Sequence, residues 1–294
     1  MEHFLQLVVE GIISGSIYGA MALSIVMVYR ASKLLNFAQG EMATLSAFLV
    51  YQGQVFGLPV WLSILLSLVI TALLGVTVER LLVRPLGAMR SHLPVIIVTL
   101  GLMTVMTSVN GAIWGWDARP LNRMFGVGSF DVGGVSISYQ GAGLVITIGL
   151  MALTLGVVFR FTRLGLGLRA TAENPESARL SGVRVGTMLS VGWALGAVIG
   201  GVAGILVGPI LTLEPNLMVT VLLYAFAAAI LGGMDSPVGA IVGGIIVGVI
   251  ENLAGSYLPW IGYDFKQVVA LVVIIVVLAM RPQGLFGRKE LTRV

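Results

Sequence analysis

Polar side chains are scarce in this sequence, and the few set within apolar stretches are where any chemistry would have to occur. Asn36 and Gln39 fall at helix-face spacing if their segment is helical, and Glu41 follows them. A carboxylate at the centre of a bilayer costs about 2.5–3.5 kcal/mol on insertion scales, so Glu41 needs a reason to be there. Two readings stay open: a polar stripe facing a transport pathway, or a carboxylate satisfying backbone groups freed at a break near Gly40. Asp235 and Ser236 stand in a second polar break, Gly232-Gly233-Met234-Asp235-Ser236-Pro237. Glu251, beside Asn252 at the end of its apolar stretch, reads as interfacial, and Asn110 as an interhelical hydrogen bond. His3 and His92 have no second histidine at ligand spacing, so neither a metal site nor another cofactor is expected.

Enzymatic chemistry finds no footing. The sequence holds no G-x-S-x-G nucleophile elbow and no H-E-x-x-H zinc motif. It has no cysteine, hence no disulfide framework, no thiolate metal site and no redox thiol. None of its three lysines follows a glycine, so a phosphate-cradling G-x-x-x-x-G-K-[ST] loop is absent. Any work driven by ATP must be done by another chain.

The elements that carry these residues are hydrophobic. Of 294 residues, 57% are hydrophobic and only 10% charged, with a mean hydropathy of +1.02. Soluble domains carry about 25% charged residues, which this chain cannot approach. Nine stretches are apolar enough to be spans: 11–29, 35–52, 59–78, 93–113, 142–159, 187–207, 217–232, 238–254 and 265–280. The expected fold is an all-α, polytopic transmembrane bundle of about nine spans (eight to ten), forming a single domain over 1–294. The start, MEHFLQLVVE, lacks a positive n-region, so the first stretch is expected to be a retained signal-anchor.

Charge orients the bundle. With the N-terminus outside and the C-terminus cytoplasmic, fourteen of the seventeen basic residues fall on the inner side, among them Arg90, Arg184, Arg288, Lys289 and Arg293. Only Arg119, Arg123 and Lys266 fall outside. This is the positive-inside bias, and it removes the nucleic-acid reading of the net charge of +4. Tyr51, Trp61, Trp114, Trp116, Tyr139, Tyr257, Trp260 and Tyr263 map to the outer boundary, as an aromatic belt would.

Glycines recur every four residues at Gly192, Gly196, Gly200, Gly204 and Gly208, and at Gly11, Gly15 and Gly19. Gly239/Gly243 and Gly244/Gly248 repeat the spacing. Such ladders let helix backbones approach closely in lipid. The two longer ladders run in opposite directions, and each is followed by a polar break and a small-residue helix, which fits an inverted repeat of 11–110 and 187–280. The external segment 114–141 contains FDVGGVSISY, which predicts a β-hairpin about Gly133-Gly134, either a docking surface or a connector. The cytoplasmic loop 160–187 contains Asn174-Pro175, an N-cap with proline at the first helical position. Glu176 suits the helix N-terminus and Gly182 its C′ position, so a helix of about two turns is expected. It would act as a lever for a cytoplasmic partner or lie flat in the headgroups.

Longer stretches make a resemblance specific. They are Gly15-Ser16-Ile17-Tyr18, Leu35 to Glu41, Glu79-Arg80 with Arg84-Pro85-Leu86, Gly167 to Ala170 with Glu173 to Val183, Ala225 to Ala240, and Arg281 to Gly287. Together they run from end to end and resemble the permease subunits of branched-chain (hydrophobic) amino-acid ABC importers. Gln39 departs from the pattern, since the family often has histidine there. The resemblance implies a bacterial inner-membrane subunit that is not itself an enzyme and forms half of the pathway. Its partners would be a second homologous permease, two cytoplasmic ATP-binding subunits, and a periplasmic or lipid-anchored substrate-binding protein. The ATPase-coupling residues would be Glu173, Asn174, Pro175, Glu176, Ala178, Arg179 and Gly182, and the pathway residues Asn36, Gln39, Glu41, Asp235 and Ser236. Related permeases carry urea, amides or other small polar solutes, which is the alternative cargo. An ion-coupled secondary transporter would need a buried ionisable relay on several spans, for which Glu41 alone is thin.

Overall fold

A computed structural model describes residues 1–87, 93–257, 266–281 and 283–287. Arg90, His92, Trp260, Tyr263, Pro282, Arg288, Lys289 and Arg293 lie outside the described residues. The chain is helical almost throughout. Helix α1 (Glu2–Ser32) is followed by α2 (Gln39–Val55), α3 (Val60–Val78) and, after a π-turn at Glu79–Val83, the single turn α4 (Arg84–Gly87). Then come α5 (Leu93–Trp114), the strands β1 (Ser129–Val132) and β2 (Val135–Ser138), α6 (Tyr139–Phe161), α7 (Arg163–Glu173) and α8 (Pro175–Leu180). Helices α9 (Val185–Leu211), α10 (Val219–Gly232), α11 (Pro237–Tyr257) and α12 (Lys266–Met280) complete it.

Each of the nine apolar stretches holds a helix. Among the described residues, six helices are long and apolar enough to cross a membrane: α1, α3 continued to Leu86, α5, α6, α9 and α11. Helix α2 has 17 residues, about 25 Å at 1.5 Å per residue, against a hydrocarbon core of about 30 Å. The predicted hairpin is present: Val132 pairs with Val135 and Ser129 with Ser138, and Gly133 and Gly134 both take positive φ, as a type I′ turn requires.

Helices of this length stay ordered in lipid because every interior backbone group bonds within its own helix. Their packing comes from small residues. The chain forms two compact units, one of residues 1–26, 123–148 and 220–294, the other of 27–122 and 149–219.

In the first unit, α1 lies along α11. A Cβ at Gly15 would stand 2.6 Å from the Gly244 carbonyl, and one at Gly11 2.6 Å from Val249 Cα. Gly239 and Gly243 use a different face of α11, against Gly232 and Ala228 of α10. The tail after α12 closes on α10: Leu285 N–H donates to the Leu231 carbonyl (2.7 Å) and Phe286 N–H to that of Gly232 (3.0 Å). The hairpin is tied to α1 by Gln6, whose amide exchanges two hydrogen bonds with the Ser136 backbone.

In the second unit, α2, α3 and α9 pack together, with α5 against α2. Gly192 meets Ala31, Gly204 meets Ala43, and Gly208 meets Leu121 and Ala47, so the α9 ladder serves several neighbours. Helix α3 brings a stripe at spacings of four, Ser63, Ser67, Thr71 and Gly75, all buried. Ser67 donates to the Ser46 carbonyl (2.7 Å), and Gly75 faces Trp193 and Ala197. Its opposite face, with Leu65, Leu66, Val69, Ile70 and Leu73, is exposed and apolar, as a lipid-facing surface is. Trp114 departs from the expected belt. It is buried, stacks on Phe48 at 4.8 Å and donates to Gln52.

Candidate functional site

The break between α1 and α2 carries the first group of candidates. Lys33, at positive φ, ends α1, and the chain re-enters helix at Gln39. Asn36 therefore lies before the helix, so it does not share a helical face with Gln39. Asn36 holds the turn instead: its Oδ1 accepts from Ala38 N–H (3.1 Å), and its Nδ2 donates to Gln39 Oε1 (2.8 Å). Gln39 Nε2 donates onward to the Gly196 carbonyl (3.0 Å). Gly196 is near the middle of α9, so α2 begins alongside the centre of a spanning helix. Discontinuous helices of this kind line the substrate sites of many transporters.

Glu41 follows in the first turn of α2 and is 1% exposed. Its polar neighbours are Thr107 and Asn110 of α5. One carboxylate oxygen of Glu41 and the amide nitrogen of Asn110 are buried with no hydrogen bond. The Gly40 carbonyl accepts from the Thr44 hydroxyl (3.2 Å). Buried polar groups cost free energy while unsatisfied.

Asp235 and Ser236 belong to the other compact unit, at the break between α10 and α11. Asp235 is exposed. Ser236 Oγ accepts from Gly239 N–H (3.0 Å), capping α11 ahead of Pro237. Ser236 thus caps its helix, whereas Asn36 closes a turn ahead of α2, which has no side-chain cap.

Glu251 faces the protein interior rather than solvent. It is 7% exposed and accepts from the Tyr18 hydroxyl at 2.7 Å, and Tyr18 stacks on Tyr224 at 4.5 Å. The three residues come from α1, α10 and α11. Nothing in the local sequence marks them as neighbours.

The loop between α6 and α9 holds two helices where one was expected. Thr162 caps α7 by accepting from Gly165 N–H (3.1 Å). Asn174 caps α8 by accepting from Ser177 N–H (2.9 Å), with Pro175 at the first position. At the other end Gly182 has φ +82, its N–H donates to Arg179, and Val183 N–H donates to Ala178 (both 3.0 Å). That pair of bonds is the Schellman closure, which needs the left-handed residue that glycine supplies. The coupling candidates divide by burial. Glu173, Asn174, Pro175, Glu176, Arg179 and Gly182 are exposed, whereas Ala178 is 3% exposed and anchors α8. Leu180, absent from the expected set, is 90% exposed on a helix that projects from the bundle. An apolar residue at a helix end beside an exposed Arg179 was the available signal for it.

Comparison with known proteins gives the chain a family. The family profile described as "Branched-chain amino acid transport system / permease component" matches residues 7–278. The high-affinity branched-chain amino acid transport system permease protein LivH of Salmonella typhimurium is 29% identical over 306 residues, covering 99% of this chain and 98% of that one. The corresponding permease protein BraD of Pseudomonas aeruginosa is 29% identical over 310 residues, with the same coverage. Among solved structures, PsaBC from Streptococcus pneumoniae in complex with Fab shares the fold, with a TM-score of 0.51 at 12% identity over 96% of this chain and 93% of that one. The profile covers most of the sequence, and the chain belongs to the branched-chain amino-acid transport permeases.

Proposed function

We propose that this chain is the permease subunit of an ATP-binding-cassette importer for branched-chain or other hydrophobic amino acids. The end-to-end family match over residues 7–278 carries this reading. The chain spans the bacterial inner membrane about nine times as one permease domain, with its N-terminus outside and its C-terminus in the cytoplasm. It forms half of the pathway with a second homologous permease. Two cytoplasmic ATPases supply the energy, and a periplasmic or lipid-anchored binding protein delivers the solute to the outer side.

Power enters through α8. What supports this is its construction: six residues capped at both ends, anchored by buried Ala178, and carrying exposed Glu176, Arg179 and Leu180. Such a helix transmits a push without unravelling. The pathway residues are Asn36, Gln39 and Glu41 at one break and Asp235 and Ser236 at the other. Transport is a population shift between packings open to either side, driven by nucleotide on the partner chains.

The test is uptake of labelled leucine, urea and ribose in cells lacking their own importers and co-expressing the partner subunits. Leucine accumulation that needs ATP is the expected result. Uptake of urea or ribose without leucine would overturn the cargo. Leu180→Asp should lower both leucine uptake and stimulated ATP hydrolysis at least about tenfold, the effect of losing one well-buried interface anchor. Normal activity in that variant would overturn the role of α8.

A further inference from the structure

The π-turn at the end of α3 is held by a side-chain pair that no α-helix could form. Residues i and i+5 of an α-helix lie about 140° apart around the axis at ~100° per residue, so their side chains do not meet. In the π-turn Glu79–Val83 the Arg84 N–H donates to the Glu79 carbonyl, which brings the fifth residue round above the first. Arg84 then grips the Glu79 carboxylate with both branches of its guanidinium, Nε to Oε1 and Nη2 to Oε2, each at 2.8 Å. The π-turn is thus what sets the two side chains face to face.

The same pair holds the start of α9. Arg84 Nη2 donates to the Gly186 carbonyl (2.7 Å) and to Ser190 Oγ (3.0 Å). Ser190 Oγ donates to Glu79 Oε2 (2.8 Å) and accepts from Arg80 Nε (3.2 Å). Glu79 is 2% exposed and Ser190 4%. Arg84 lies over Gly186, where a Cβ would stand 3.3 Å from Nη1. Both oxygens of the carboxylate are thus engaged, and Arg84 alone joins Glu79, Ser190 and the Gly186 carbonyl.

The location gives this junction a task. Helix α9 starts five residues after α8 ends and packs against it. Farther along, its Gly196 carbonyl holds Gln39 and its Gly204 touches Ala43, so α9 runs from α8 to the break that opens α2. A π-turn that relaxes to α slips the hydrogen-bond ladder by one residue and rotates the downstream residues by about 100°. That gives two discrete arrangements, which a coupling element needs.

We propose that Glu79 and Arg84 form a latch, closed only around the π-turn, that ties α3 to the first turn of α9 and must release for movement of α8 to reach the α2 break. The proposal rests on the coupling role of α8 given above. Both are positioning residues that act through α9.

The experiment uses the complete complex with its partner permease, ATPases and binding protein, reconstituted in vesicles, with labelled leucine as the probe. In Glu79→Gln and in Arg84→Lys the complex should assemble and hydrolyse ATP on stimulation. Leucine moved per ATP should fall at least about tenfold, the shift expected from losing one charge-assisted hydrogen bond. Lower yield or thermal stability with an unchanged ratio would overturn the latch. Should one variant fail to assemble, the other is read by the same ratio.

A second readout tracks the turn itself. The chain has no cysteine, so Leu81→Cys, at an exposed position of the π-turn, takes a single spin label. Its spectrum should change when the otherwise native complex binds ATP, and Glu79→Gln should show the changed spectrum without ATP. A spectrum constant through the cycle would overturn the latch. The two proposals fail separately: a fully active Leu180→Asp complex removes the role of α8, whereas an inactive one beside a normal Glu79→Gln ratio removes only the latch.

Discussion

Single residues of this protein do work that their neighbours in sequence do not announce. Glu251 is the plainest case. Next to Asn252 near a helix end, it has the local signature of a residue reaching for water. In the fold it accepts from Tyr18, which stacks on Tyr224, and all three lie away from solvent. Interhelical hydrogen bonds in membranes contribute about 0.6 kcal/mol on average and up to about 1.7. Tyr18→Phe removes the hydroxyl and keeps the stacked ring. It should therefore destabilise the purified protein by that amount, measured by thermal unfolding in detergent. Tyr18→Leu loses the ring contact as well and should cost more. Equal melting temperatures for Tyr18→Phe and the parent would mean that the bond contributes nothing. Glu41 was legible from the start, because a carboxylate in an apolar run stands out whatever surrounds it. That Thr107 and Asn110 face it was not, since α5 comes alongside α2 only in the folded chain.

Helices pair here through what they lack. The glycine ladders were readable because a four-residue recurrence is a property of the string. Which neighbour each rung meets is a property of the bundle: Gly11 and Gly15 meet α11, and Gly204 meets α2. The serine stripe on α3 went unread, because serine and threonine pass for ordinary polar residues until their spacing of four is set beside a partner. The contrast between two glycines tests the packing account. A Cβ at Gly15 would stand 2.6 Å from the Gly244 carbonyl, while one at Gly149 of α6 meets nothing within 4 Å. Gly15→Ala should cost about 1–3 kcal/mol as an overpacked site. Gly149→Ala should instead gain up to about 1 kcal/mol from helix propensity. Melting temperatures that move in opposite directions are the expected outcome, and a stabilising Gly15→Ala would contradict the close approach of α1 to α11.

At the scale of the whole molecule, each compact unit holds a glycine-laddered helix packed on a helix that follows a break. In one, the glycine-laddered α1 lies on α11, the helix after the second break; in the other, the laddered α9 lies on α2, the helix after the first. An inverted repeat whose halves exchange partners would produce this pattern. It requires the opposed orientation that the basic residues suggest, and the cysteine-free chain makes that direct to measure. Val127→Cys, 83% exposed in the segment after α5, should react with an impermeant maleimide on intact cells. Ser177→Cys on exposed α8 should react only in inverted vesicles. The reverse pattern would overturn the topology. By itself, the sequence determined the class of solvent, the helical content, the hairpin turn and both caps of α8. These depend on composition and on contacts within a few residues, where chemistry and spacing are enough. Only the tertiary structure decided that Glu251 is buried, that Ala178 anchors while Leu180 projects, and that Glu79 and Arg84 close around a π-turn onto Ser190. Those outcomes depend on which helices lie side by side, and in lipid that is settled by close fit along entire faces rather than by any residue's own preference.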